Sequence, residues 1–353
     1  MKNVLILFGG VSSEHEVSCL SATSVIQNMP QDSYRMYLLG ITKDGEWLLY
    51  EGDPTLLTED RWTQETDCLQ KAAISLNQRD RGLLVFRESG TELIPIDVAF
   101  PVLHGKNGED GTVQGLLEIA GIPYVGCDTR ASAMCMDKAV TNLVADSVGI
   151  PQAKWCSITK NDYAQHWCEF KNDAIEKLGL PLFVKPANAG SSVGISKVKT
   201  EADFDTAMEI AFREDDKVVL EEAIDALEIE CAVLGNENPM ASVVGGIVPS
   251  EEFYTYEAKY ISGESELQIP AKISDEAQAA VRSAALKIFT AMGCHGLSRV
   301  DFFLEKNTGR VLFNEINTMP GFTSISMYSK LMEQSGVPYP KLLDRLLKLA
   351  QEK

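Results

Sequence analysis

The chain has no hydrophobic run long enough to cross a bilayer. The apolar stretch at residues 4–8 is too short for a secretory signal, and acidic residues follow it closely. We therefore expect a cytoplasmic protein with no membrane partner.

Basic residues are also scarce, because 32 Lys and Arg stand against 51 Asp and Glu and give a formal net charge of −19. Surfaces that bind nucleic acid are usually basic, so the composition excludes a broad phosphate-backbone interface. Any smaller anionic ligand must be held by a few local lysines or arginines.

Several common site patterns are missing. The eight cysteines include no C-x-x-C pair and the four histidines show no ligand spacing, which argues against a zinc or disulfide framework and for reduced thiols. The glycine patterns of dinucleotide-binding Rossmann proteins and of Walker P-loops are absent too. No internal repeat is evident.

The length of 353 residues predicts two or three domains, with an ordinary apolar fraction of 45%. Residues 4–8 predict a buried strand that ends at Gly9 and Gly10, after which Ser13 and Glu16 suggest a capping box that opens a helix. A strand, a glycine turn and a helix start form a ligand-binding corner. Glu14 would either interact with the helix dipole or meet a substrate ammonium.

A third buried strand at residues 98–103 leads into the glycine-dense loop 104–111. The carboxyl ends of strands in open α/β sheets are where ligands bind, so His104 is either a ligand contact or a donor that organises the loop. The polar segment 52–92 predicts loops and short strands, and we assign it no function.

A second unit begins near residues 126–129 and alternates helices and strands in an α+β order. Its glycine-serine loop at residues 189–194 has the backbone donors to cover phosphates, although such loops are also common linkers. Lys185 lies within an apolar strand and needs an anionic partner, for which a nucleotide phosphate is suitable.

Residues 298–317 predict a hairpin whose strands cover about 299–304 and 310–317. Alternation along the strands would bring Asp301, Glu315 and Asn317 close together, and such oxygen ligands suit Mg²⁺. The alternative is that Asp301 forms a salt bridge with Arg299 while Glu315 faces water.

Read together, the motifs resemble the D-alanine:D-alanine ligases of the ATP-grasp superfamily, which include related D-alanyl-D-serine and D-alanyl-D-lactate ligases. They occur in one order along nearly the whole chain: the glycine corner with Glu14, the loop 104–111, Met136-Asp137-Lys138, Val184-Lys185-Pro186, the loop 190–194, Glu257 to Tyr260, Arg299-Val300-Asp301, and Asn314 to Ser324. Each motif alone is modest, but their joint occurrence is highly specific.

The resemblance implies an ATP-grasp fold of three domains: residues 1–127 with an open parallel sheet, 128–225, and 226–353 with the metal and catalytic residues. ATP would lie between the central and C-terminal domains. It also implies a homodimer formed through the N-terminal domain.

The resemblance further assigns roles to single residues. The phosphates would be contacted by Lys138, Lys185 and Lys259 and covered by the loop with Ser191 and Ser192. The adenosine would be held by Glu221 and Glu228. Two Mg²⁺ ions would be bound by Asp301, Glu315 and Asn317, with Mn²⁺ as an alternative. Glu14 and His104 would hold the first substrate, Ser326 and Met327 the second. Arg299 and Gly321 would stabilise an oxyanion, and Glu14, Ser191 and Tyr260 would close the loop.

The implied reaction joins two D-alanines through an acyl phosphate, for peptidoglycan precursors. Tyr260 favours an amine as the second nucleophile, and the apolar Met327 favours D-alanine because a serine pocket should supply a partner for the hydroxyl. The sequence segments at residues 101–112 and 125–129 resemble those of the serine-type ligases, so D-serine is the alternative second substrate. A different carboxylate–amine ligase and a non-catalytic nucleotide-binding protein are further alternatives.

Overall fold

The computed structural model describes residues 1–248, 266–323 and 325–352. These residues form three β-sheets of seven, four and five strands, packed with helices. None of the helices in the described ranges combines the length and apolarity needed to cross a membrane. The predicted mixture of α/β and α+β architecture is confirmed.

The first sheet contains the predicted ligand-binding corner. Its strands are β1 (Lys2–Gly9), β2 (Tyr34–Ile41), β3 (Trp47–Tyr50), β4 (Leu69–Ile74), β5 (Gly82–Arg87), β6 (Gly90–Pro95) and β7 (Val98–Pro101). β1 pairs in parallel with β2 and β7. Beyond β2, the strands β3 to β6 follow in order, and each is antiparallel to the strand before it. The expected parallel sheet is thus confined to the strands at the corner, and the sheet as a whole is mixed.

Two helices cover opposite faces of this sheet. They are α1 (His15–Asn28) and α2 (Thr112–Ala120). Alternate residues of β1 point to opposite sides, so Ile6 joins the core with α1 while Leu7 joins the core with α2. The predicted excursion contains β4 to β6 and the 3₁₀ helices Pro54–Glu59, Trp62–Gln64 and Thr66–Cys68.

The capping box predicted at the start of α1 is wrong. The helix has Glu14 as its N-cap, and no side chain caps its amides. Ser12 rather than Ser13 supplies the local acceptor, since its hydroxyl receives the Glu14 N–H at 2.9 Å. The Glu16 carboxylate lies instead 2.5 Å from the ammonium of Lys43.

The second sheet is antiparallel, with its own core. It consists of β8 (Trp155–Thr159), β9 (Leu182–Pro186), β10 (Ser196–Val198) and β11 (Lys217–Glu222), in the order β10-β9-β11-β8. Helices α5 (Lys160–Leu178) and α6 (Phe204–Glu214) pack against it, the latter after the 3₁₀ turn Glu201–Asp203. Leu182, Val184 and Leu220 are buried in this separate core.

The third sheet lies between two layers of helices. Its strands are β12 (Ala226–Gly235), β13 (Met240–Val248), β14 (Glu266–Gln268), β15 (Gly296–Glu305) and β16 (Val311–Asn317), in the order β14-β13-β12-β15-β16. One face packs against α3 (Thr129–Met136), α4 (Lys138–Ser147) and α7 (Asp275–Ala291), and the other against α8 (Met327–Gln334) and α9 (Tyr339–Leu349). Residues 129–147 therefore share a core with the third sheet.

A continuous hydrophobic core joins the first and third sheets. Phe322, which is fully buried, lies at its centre, with ring centroids 5.4 Å from Phe100 and 5.7 Å from Tyr328. The Phe322 N–H also donates to the Ser21 hydroxyl of α1 at 3.2 Å. This packing fixes the neighbouring Gly321 against the N-terminal corner.

Candidate active site

Glu14 lies directly after the glycine corner, at the N-cap of α1. Its side chain is buried, and its Oε1 accepts a hydrogen bond from the Ser191 hydroxyl. A Cβ placed on Gly105 would lie 2.5 Å from Glu14 Oε2, and one on Gly190 would lie 2.9 Å from it. Two loops therefore approach this carboxylate so closely that side chains at these glycines would displace it.

His104 is held between the N-terminal corner and the C-terminal domain. Its Nδ1 lies 3.1 Å from the Met319 carbonyl, which can only accept, so Nδ1 carries the proton. The Ser21 hydroxyl lies 3.1 Å from Nε2 and donates to it. Burial lowers the pKa of the imidazole, against the opposing effects of Glu14 and the Met319 carbonyl, so His104 is neutral.

The predicted hairpin is present as β15 and β16. In its register Asp301 lies opposite Glu315 and Arg299 opposite Asn317. The guanidinium of Arg299 donates to both oxygens of Asp301, at 2.7 and 2.6 Å, and its Nε lies 3.1 Å from Glu230 on β12. The salt bridge that was the alternative to a metal site therefore exists.

The oxygen donors beside that salt bridge also fit a divalent cation. Asp301 and Glu315 face each other across neighbouring strands, and the Asn317 amide donates to Asp301 at 3.1 Å. Asp301 is buried, and buried carboxylates are usually paired or bound to metal. Two carboxylates and an amide oxygen are hard donors of the kind that Mg²⁺ prefers.

Two of the lysines predicted to meet phosphates, Lys138 and Lys185, have protein partners in this structure. Lys185 Nζ lies 2.5 Å from Glu221 Oε2, so two predicted nucleotide contacts pair with each other. Lys138 Nζ donates to the Ala189 carbonyl at 2.6 Å, at the start of the glycine-serine loop. Glu228 is half-buried on β12.

The glycine-serine loop adopts an unusual backbone conformation. Ser191 and Ser192 have φ angles of 48° and 61°, in the left-handed region that favours glycine. Such positions cost about 1–3 kcal/mol each and persist when surrounding contacts hold them. The hydrogen bond from Ser191 to Glu14 is one such contact.

Gly321, Ser326 and Met327 follow the hairpin and precede or open α8. The Ser326 hydroxyl lies 2.8 Å from that of Thr323 and accepts the Thr323 N–H at 2.9 Å. Met327 is buried, and a Cβ on Gly245 of β13 would lie 2.8 Å from its sulfur. Lys259, Tyr260 and Ser324 lie outside the described residues.

Two adjoining cavities unite most of these groups, with open volumes of about 780 and 480 Å³. The first is lined by Glu14, His104, Glu230, Arg299, Gly321, Ser326 and Met327, among others, and the second by Lys138, Thr141, Ala189 and Thr318. Glu109, Gly190, Ser191, Glu315 and Asn317 border both. Lys185, Glu221 and Glu228 line neither cavity as the described residues define them.

The cavities differ in the chemistry they offer. The first presents carboxylates that suit an ammonium, together with a guanidinium that suits an oxyanion. The second presents a lysine and a loop suited to phosphates. Glu315 and Asn317, two of the three oxygen donors that suit a divalent cation, lie at their junction, and Asp301 lies opposite Glu315 in the strand register.

Two acidic lining residues, Glu109 and Glu230, were not assigned to the amino-acid cavity from the sequence. Glu109 lies among the glycines of the loop 104–111, and this glycine-dense sequence could have identified it as a site residue. Glu230 lies opposite Asp301 in the strand register, which only the pairing of β12 with β15 reveals.

Family models match most of the chain. The description "D-ala D-ala ligase N-terminus" applies to residues 3–127, and "D-ala D-ala ligase C-terminus" to residues 144–348. The chain is 50% identical to a D-alanine–D-alanine ligase of Caldicellulosiruptor bescii, covering 99% of this chain and 95% of the relative. It is 48% identical to one from Thermoanaerobacter sp. strain X514, covering 99% and 97%.

Solved structures agree with these sequence matches. The VanG D-Ala:D-Ser ligase from Enterococcus faecalis superposes with a TM-score of 0.90 at 40% identity, covering 99% of both chains. The D-alanine–D-alanine ligase from Coxiella burnetii gives 0.86 at 34% identity, covering 100% of this chain and 96% of that one. The expected ATP-grasp fold is confirmed.

The environment of His104 predicts a pH-dependent contribution to stability. Because its folded pKa is depressed below the ordinary value of about 6.5, the unfolded chain takes up the proton first as the pH falls. The contribution is therefore complete above about pH 6.5 and is lost below it. His104→Gln should reduce the drop in unfolding free energy between about pH 7.5 and 5.5 by about 1 kcal/mol.

Denaturant unfolding at the two pH values measures this difference. His166→Gln is the matched control, because that histidine side chain is 62% exposed, and it should keep the parent's pH dependence. An unchanged pH dependence in His104→Gln would contradict a neutral buried imidazole.

Proposed function

The chain belongs to the D-alanine–D-alanine ligase family, and from this membership we propose that it joins two D-alanines to D-alanyl-D-alanine at the expense of ATP. The product would serve peptidoglycan precursor synthesis. One observation carries the proposal: a cavity containing Glu14, Arg299, Gly321 and Ser326 adjoins a second one containing Lys138. Amino-acid groups and nucleotide phosphates can thus meet at one junction.

We place the ATP phosphates in the second cavity. Lys138 and Lys185 would exchange their present partners for phosphate oxygens, and the loop with Ser191 and Ser192 would cover them. Glu221 and Glu228 would accept hydrogen bonds from the adenosine part. Lys259 is assigned to the same role from the resemblance.

Asp301, Glu315 and Asn317 would hold two Mg²⁺ ions, or Mn²⁺ in their place. The bound ions would offset the negative charge of the transferring phosphoryl group. The support is that Glu315 and Asn317 border both cavities and that Asp301 lies opposite Glu315 on the neighbouring strand.

The first step would be phosphoryl transfer to the first D-alanine. Glu14 would hold its ammonium and His104 would lie near its carboxylate. A carboxylate oxygen attacks the γ-phosphorus, the bond to the bridging oxygen of ADP breaks, and an acyl phosphate forms. The hydrogen bond between Ser191 and Glu14 would hold the loop over the site and keep water from this intermediate. Tyr260 would add to this closure.

The second step would form the peptide bond. The second D-alanine, its carboxylate at Ser326, attacks the acyl carbon with its amine after losing a proton. Arg299 and the Gly321 N–H would stabilise the tetrahedral oxyanion. Inorganic phosphate then leaves with the electron pair of the broken C–O bond.

D-serine as the second substrate is the competing proposal, favoured by the TM-score of 0.90 with a D-Ala:D-Ser ligase. Against it, Met327 offers the second site an apolar side chain with no partner for a hydroxyl. A homodimer through the N-terminal domain is proposed from the family resemblance alone.

Incubation with ATP, Mg²⁺ and D-alanine should release ADP and form the dipeptide in equal amounts, whereas L-alanine should support neither. Quantifying ADP and dipeptide together checks this. Absence of dipeptide would refute the proposal. A scan of D- and L-amino acids would then separate another ligase specificity from a non-catalytic nucleotide-binding protein.

Asp301→Asn should raise the Mg²⁺ concentration for half-maximal rate by at least about tenfold, because it removes a charged oxygen ligand. Magnesium titration at fixed ATP measures this. Asp216→Asn removes the same charge from a side chain that is 92% exposed and should leave the requirement unchanged. Equal magnesium requirements in parent and Asp301→Asn would exclude Asp301 as a ligand.

The parent should prefer D-alanine to D-serine at the second position, and Met327→Arg should shift this preference toward D-serine by about tenfold. Competition between the two amino acids, read by dipeptide analysis, measures the ratio. Met327→Leu keeps an apolar side chain of similar volume and should retain the parent ratio. A parent that already prefers D-serine would overturn the role given to Met327.

A further inference from the structure

Glu109 borders both cavities but has no role in the reaction steps proposed for this site. It belongs to the loop between β7 and α2, where its Oε2 accepts the Gly105 N–H at 2.8 Å and its own N–H donates to the Gly105 carbonyl at 3.0 Å. This pair of hydrogen bonds with one glycine fixes where the carboxyl group lies.

The first cavity contains more acids than bases. Among the described residues that line it are four glutamates and one arginine: Glu14, Glu109, Glu230, Glu315 and Arg299. Arg299 already contacts Glu230 and Asp301. A ligand group that carries positive charge is therefore suited to this cavity.

The acids divide into two groups by position. Glu315 belongs with the oxygen donors of β15 and β16, which suit a divalent cation. Glu14 and Glu109 instead converge on Gly105, since the Glu14 carboxylate lies over its α-carbon while Glu109 accepts its N–H. Two carboxyl groups on either side of one glycine, open to a cavity that accepts an amino acid, form a site for an ammonium ion.

We propose that Glu109 is a second carboxylate for the ammonium group of the first amino-acid substrate, acting together with Glu14. The inference rests on the proposed ligase function and deepens it. The ammonium has three N–H donors, and a site with two carboxylates can use two of them. Substrates without a cationic group at that position are excluded by the repulsion left between the two acids.

The electrostatics of the cavity agree with this assignment. Burial, and then the Glu14 carboxylate, raise the pKa of Glu109 well above its usual range, and Glu315 adds to the effect. The Gly105 N–H and Arg299 oppose it. A cation placed between Glu14 and Glu109 would remove the main repulsion and favour both ionised forms.

Glu109→Gln tests the proposal because glutamine keeps an oxygen for the Gly105 N–H but loses the negative charge. In the full-length protein with Mg²⁺ and a non-hydrolysable ATP analogue, it should weaken D-alanine binding by at least about tenfold. Binding of D-lactate, which carries a hydroxyl in place of the ammonium, should not weaken, because the substitution relieves the repulsion between the two acids. Thermal-shift titrations give both dissociation constants.

Asp110→Asn is the matched control, since it removes the same charge from the neighbouring residue. Asp110 lines neither cavity and accepts from the Asn107 and Thr112 N–H groups within the loop. It should leave both dissociation constants within about twofold.

Three outcomes would overturn the proposal: unchanged D-alanine binding in Glu109→Gln, equal weakening of D-alanine and D-lactate, or the same loss in Asp110→Asn. The proposed function fails separately, if the parent binds D-alanine with the nucleotide analogue yet forms no dipeptide from ATP.

Discussion

The close grouping of carboxylates in the cleft is the constraint on which the site depends. Four glutamates line the first cavity, and Arg299 is shared between Glu230 and Asp301. Carboxylates held together away from bulk water destabilise one another unless cations lie between them. In the proposed function, an ammonium at one end and a divalent cation at the other would lie among these carboxylates. In a chain with a net charge of −19, Lys138 supplies a local positive charge at the cavity proposed for the nucleotide phosphates.

The architecture separates the two ends of the cleft. The first and third sheets share one hydrophobic core through Phe322, so the residues that hold the amino acids are fixed relative to one another. The second sheet has its own core and carries the loop with Ser191. That loop meets Glu14 through a single hydroxyl, and its left-handed backbone at Ser191 and Ser192 depends on such contacts. The Ser191–Glu14 hydrogen bond therefore connects the unit around the second sheet to the proposed amino-acid site.

Sequence reasoning succeeded where the pattern was local. The hairpin with Asp301 and Glu315 follows from alternation and a turn, and the corner at Glu14 follows from a strand that ends in glycines. The capping box failed because the helix begins only at His15, with Glu14 rather than a serine at its N-cap. For Lys185 the pattern predicted a need for an anion, but Glu221 is 36 residues away on a neighbouring strand. Glu109 was missed because its burial depends on the packing of distant segments around the cleft.

The independent core of the second sheet has an evolutionary consequence. Substitutions among its buried residues change how the nucleotide-facing unit is built without repacking the shared core around Phe322. Changes confined to the core of the second sheet can thus alter the unit proposed to face the nucleotide while the proposed amino-acid site keeps its packing. Conversely, substitutions near Met327 can alter which dipeptide is made without changing how ATP is used. A bacterial lineage exposed to an antibiotic that recognises the dipeptide can therefore change the second-substrate site near Met327 alone.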